Sequence, residues 1–225
     1  MSGLWVLLLL ILIAALPVLP VYVWLRSQDI STLWFVLSLV TGAVSLLIAG
    51  LLQTFFFYIA ANYRQVLEEA VTGIQFFTIF IQIALTEEAG RLLALGLFFR
   101  LGRSLRNRSD LDESQLISFG AATGLIAGLG FGIIETASYG AGNVAVALLR
   151  AFTATPLHGA CGARVGIGAI MFKYMPIRSA GRFLSAVAIH GMYNLMVISP
   201  GIPRIFSVLI AVLSLVSSIQ VIRKP

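Results

Sequence analysis

The chain has 225 residues, of which 59% are hydrophobic and only 11% charged. A soluble domain keeps roughly a quarter of its residues charged, so this composition excludes an ordinary soluble fold and points to a protein whose solvent is largely lipid. The net charge of +6 reads as membrane topology and contact with anionic lipid head groups, because basic residues collect in cytoplasmic loops; no nucleic-acid partner is expected.

In chain order, apolar runs between polar, glycine- or proline-containing breaks predict helices over about 4–25, 32–60, 73–101, 115–139, 143–172, 182–199 and 203–222. The first run lacks a basic n-region and exceeds a secretory signal's usual core, so it is expected to be a retained span. The expected architecture is an all-α, polytopic transmembrane bundle of about seven spans, one integral membrane domain over 1–225. With the N-terminus out and the C-terminus in, ten basic residues fall in inner segments (Arg26, Arg100, Arg103, Arg106, Arg108, Lys173, Arg178, Arg182, Arg223, Lys224) and only Arg64 and Arg204 in outer ones. The remaining three, Arg91, Arg150 and Arg164, fall within spans. Cys161 is the only cysteine, which excludes an intrachain disulfide and a cysteine metal cluster. Gly124, Gly128 and Gly132 follow G-x-x-x-G spacing, a pattern that lets helix backbones approach closely.

An ionisable side chain inside a span is costly and usually faces the protein interior with a partner. Glu87, Glu88 and Glu135, with both histidines, His158 and His190, all fall within predicted helices. Glu87 and Arg91 stand at i and i+4, where a salt bridge is available. Two adjacent carboxylates repel in low dielectric unless a proton, an arginine or a metal shares the site. Glu135 has no basic residue within a turn, so its partner must come from another helix, with Arg150 and Arg164 as candidates. Pro156 can kink the helix before His158, and His190 and Asn194 form a further i, i+4 pair. Such a set could hold zinc with an open coordination position, or it could activate water directly without a metal. Either scheme hydrolyses an amide. There is no H-E-x-x-H, no G-x-S-x-G, and no aspartate pair in separate spans. Straight helices would place Glu135 nearer the outer side and His190 nearer the inner side, so convergence requires tilted or broken helices.

The order EEAGR (Glu87, Glu88, Arg91), F-x-x-x-E (Phe131 to Glu135), RAFTATPLH ending at His158, and H-x-x-x-N (His190 to Asn194) resembles the PrsW-type intramembrane metalloproteases, within the wider group of CAAX prenyl endopeptidases and bacteriocin-processing proteases. The resemblance covers about 80–197, the expected catalytic core. Two positions depart from it: Arg91 stands where lysine is more usual, and Thr136 where asparagine is common. It implies a multi-pass protein of a prokaryotic cell membrane that cleaves a membrane-protein or lipidated peptide substrate. In the roles it implies, Glu87 or Glu88 activates water, Arg91 holds the carboxylates, Asn194 donates to the oxyanion, and His158, His190 and Glu135 bind Zn²⁺. Two other functions suit the same groups. A non-catalytic scaffold like the related gamma-secretase subunit would not retain the paired glutamates in this form, and an ion- or proton-coupled transporter should show repeat symmetry.

Overall fold

The computed structural model describes residues 3–62, 77–102, 112–141, 143–199 and 203–222, and every regular element among them is helical. The expected first span is a bent pair, α1 (Gly3–Ala15) and α2 (Val18–Arg26), which turns by 47° at Pro17. Asp29, in the left-handed region at φ 63°, lies in the turn before α3 (Thr32–Asn62). A π-helical stretch, Phe77–Leu85, runs directly into α4 (Thr86–Leu101). α5 (Glu113–Tyr139) starts from Asp112, whose carboxylate accepts the Gln115 backbone N–H while the Gln115 side chain accepts the Asp112 backbone N–H.

The helix expected over 143–172 is broken at Thr153 into α6 (Val144–Phe152) and α7 (Ala154–Met171). The cause is Pro156, which lacks the N–H that would bond to Phe152 four residues earlier. α8 (Pro176–Ile198) begins six residues before its expected start at 182, because proline suits the first helical turn and the charged segment around Arg178 and Arg182 continues the helix. α9 is Ile205–Ile222. The basic residues expected at Arg64, Arg103, Arg106, Arg108, Arg223 and Lys224 lie outside the described residues.

Four segments are long and apolar enough to cross a bilayer (Thr32–Phe56, Glu113–Tyr139, Val144–Met171 and Ile205–Ile222), and the bent pair raises the number to five. The remaining helices, α4 and α8, carry the charged motifs. α5 forms the centre: 78% of its span is buried, against 28% for α9. Its glycines lie against those of α7. A Cβ on Gly128 would lie 2.0 Å from the His158 carbonyl oxygen, and one on Gly162 2.2 Å from the Gly124 carbonyl oxygen. The backbones therefore touch along the stripe that the G-x-x-x-G spacing predicts. Near the start of α3, Trp34 donates its indole N–H to Thr123 Oγ1 at 3.0 Å and packs against Phe98 and Phe119, which joins α3, α4 and α5.

Candidate active site

The first turn of α4 presents Glu87 and Glu88 about 100° apart around the helix, so each meets different neighbours. Both oxygens of Glu88 are engaged. Oε2 accepts from Arg91 in a fully buried ion pair, and Oε1 accepts from His190 Nδ1 at 2.8 Å. A carboxylate only accepts, so Nδ1 of His190 carries a proton, and in the neutral imidazole Nε2 keeps its lone pair. That Nε2 lies 3.7 Å from Glu87 Oε2. Glu87 Oε1 accepts from Gln53 Nε2 of α3 at 3.4 Å, while its Oε2 is buried without a hydrogen-bond partner.

The second imidazole comes from α7. His158 Nε2 lies 2.6 Å from Glu135 Oε2, and the same oxygen forms an ion pair with Arg150 of α6 at 2.7 Å. The two imidazole rings stand nearly perpendicular, with centroids 4.9 Å apart. Phe131 packs on His158 at 4.9 Å and carries the Arg91 guanidinium 4.6 Å from its ring centre. Arg91 NH2 also reaches His158 Nδ1 at 3.4 Å.

Thus Glu87, Glu88, Arg91, Glu135, His158 and His190 share one buried cluster. The break at Thr153 separates α6 and α7, which present Arg150 and His158 to the same carboxylate. Asn194 is half-buried one turn beyond His190, and its side chain makes no hydrogen bond among the described residues. Arg91 pairs with Glu88 at i, i+3 rather than with Glu87. Of the two basic candidates for Glu135, Arg150 is its partner; Arg164 instead donates to Ala160 O, Ser214 O and the hydroxyls of Ser217 and Ser218. Thr136 hydrogen-bonds Thr155 Oγ1 at 3.1 Å, tying α5 to α7 where asparagine was the expected residue. Sequence reasoning missed Gln53; its one signal is an amide inside an otherwise apolar span.

One atom each from Glu87, His158 and His190 lie within 4.8 Å of one another, and all three residues are buried. Two imidazoles and a carboxylate form the donor set of a three-ligand catalytic zinc site. The bare Glu87 Oε2 is what such a site needs, since a buried unpaired carboxylate oxygen is otherwise costly. His190 also has the usual carboxylate behind a metal-binding imidazole, here Glu88. The carboxylate on His158 is Glu135, at Nε2, while Nδ1 faces Arg91, which only donates. The residues fit a divalent ion. Of the expected ligands His158, His190 and Glu135, the two histidines lie in this group with Glu87, and Glu135 lies beside it with Oε2 2.6 Å from His158 Nε2.

A model of the PrsW family of intramembrane metalloproteases matches residues 31–218. The chain belongs to that family. The match runs from the start of α3 into α9 and contains every residue of the cluster. No curated protein and no solved structure matches the chain. As a PrsW-family protein it is an integral membrane peptidase of the metalloprotease type.

Proposed function

We propose that this PrsW-family chain is an endopeptidase that cleaves a membrane-embedded or membrane-proximal peptide bond, with Zn²⁺ held by Glu87, His158 and His190. The observation that carries this reading is the unpartnered, buried Glu87 Oε2 gathered with two imidazoles. When bound, the ion supplies Lewis acidity that polarises a carbonyl and eases deprotonation of water. Glu88 holds His190 in the tautomer that leaves Nε2 free, and Arg91 balances the Glu88 charge. Glu135 has Oε2 held by His158 and Arg150, while Oε1 makes no hydrogen bond among the described residues. Glu135 Oε1 accepts the proton of the attacking water and returns it to the leaving amine. The Asn194 amide donates to the oxyanion.

The proposed topology has seven spans, N-terminus out and C-terminus in, the bent α1–α2 pair and the broken α6–α7 pair each counting once and α4 taking its π-helical lead. Supporting contacts group the ends assigned to the inside. Arg178 pairs with Glu113 at 3.6 Å, Ser118 Oγ donates to Ile222 O at 2.9 Å, and Trp34 packs on Phe119. Anionic lipids then meet Arg26, Lys173, Arg178 and Arg182, and the host membrane is a prokaryotic cell membrane. Substrates are membrane proteins or lipidated peptides.

The test reads metal content by mass spectrometry together with cleavage of a panel of single-span reporter proteins. Glu87→Gln should lose both zinc and cleavage. Glu135→Gln should keep zinc and lose cleavage by about 10²- to 10⁴-fold. Stoichiometric zinc in Glu87→Gln, or undiminished cleavage by Glu135→Gln, would overturn the corresponding role.

A further inference from the structure

We infer that Gln53 is a positioning residue that selects which oxygen of Glu87 faces the centre; this rests on the reading of that centre proposed above. Its Nε2 donates to Oε1 at 3.4 Å, leaving Oε2 bare and 3.7 Å from His190 Nε2. An amide suits this task. It is neutral, so it holds one oxygen without cancelling the negative charge a ligand must offer, whereas a lysine or arginine would form an ion pair, as Arg91 does with Glu88.

The contact is built by backbone packing one turn away. A Cβ on Gly90 would lie 2.8 Å from the Ala49 nitrogen and 2.9 Å from the Ser45 carbonyl oxygen, so α3 and α4 touch there. From that crossing, Gln53 lies one turn forward on α3 and Glu87 one turn back on α4, which sets them opposite on antiparallel helices. The glutamates are thereby given different tasks. Glu88 has both oxygens occupied, and Glu87 has one held from outside the motif and one left for a ligand.

Co²⁺ is the probe, titrated into the full-length protein in detergent and read by its visible absorption, with reporter cleavage measured in parallel. Gln53→Met keeps the side chain's length and removes the donor. It should weaken Co²⁺ binding about ten- to a hundredfold, shift the Co²⁺ spectrum, and lower kcat with KM little changed, at an unaltered thermal midpoint. Should Gln53→Met not fold, Gln53→Asn, one methylene too short for the bond, should give the same losses. Wild-type affinity and spectrum in a folded variant that lacks the Gln53 bond would overturn the positioning role while leaving the centre intact, because the wild type would still bind Co²⁺ and Glu87→Gln would not. Failure of the wild type to bind Co²⁺ would overturn the centre and the role of Gln53 with it.

Discussion

Arg91 is fully buried and carries its charge against Glu88, with its guanidinium over the Phe131 ring. Removing one member of such a pair strands the other, at a cost of about 3–5 kcal/mol, whereas exchanging both for apolar residues is often neutral. Glu88→Ala should therefore destabilise the protein strongly, and the added Arg91→Met should restore much of the thermal midpoint without restoring zinc, because His190 has still lost its anchor. Thermal unfolding and metal content of the single and double variants check this. The sequence places Glu87, Glu88 and Arg91 on neighbouring faces of one helix, but i, i+3 and i, i+4 partners are both in reach of arginine. Tertiary contacts decide between them, because His190 draws Glu88 and Gln53 draws Glu87. For the same reason Arg150 and Arg164 are indistinguishable as partners of Glu135 until helix packing is known.

At the scale of the helices, His158 is held in place by a glycine on its neighbour. A methyl group on Gly128 would meet the His158 carbonyl oxygen at 2.0 Å, and backbone cannot yield as a side chain can. Gly128→Ala should force α5 and α7 apart, costing about 1–3 kcal/mol or more, and should abolish cleavage. Gly96→Ala, with nothing within 4 Å, should leave folding and cleavage unchanged. Reporter cleavage and thermal midpoints of the two variants distinguish the cases.

The α5 cap predicts a pH effect. The Gln115 backbone N–H and the Ser114 hydroxyl hold the Asp112 carboxyl below its usual value. The depressed value means that the cap stabilises the fold above the ordinary carboxylate range and that this contribution is lost as pH falls through the folded-state value. Asp112→Ala should lower the thermal midpoint at neutral pH, and the difference from wild type should vanish in acid. Helix extents were largely legible, because lipid imposes a continuous apolar run. The break at Thr153 was less so: Pro156 marks a weak point, but whether it bends or interrupts a helix depends on neighbours that can satisfy the freed carbonyl.

Across the whole molecule, the proposed topology can be tested by chemical labelling. Cys161 is buried, and its replacement leaves a cysteine-free background. Cysteines introduced as Ser27→Cys and Lys173→Cys should react with an impermeant reagent only from the cytoplasmic side, and Ala141→Cys and Arg204→Cys only from the outside. Reaction of Ser27→Cys and Ala141→Cys from the same side would refute the seven-span order. The helices outside a count based on length and apolarity, α4 and α8, bury Glu87, Glu88, Arg91 and His190, whose polarity such a count weighs against them.

The hydroxyls of Ser217 and Ser218 that satisfy Arg164 belong to α9, a helix that carries no ionisable side chain of its own. Without α9, Arg164 would keep only the Ala160 carbonyl of its own helix among the described residues. The most apolar of the four long spans thus conceals a charge that α7 carries, and a chain truncated before Ile205 would lay that charge bare.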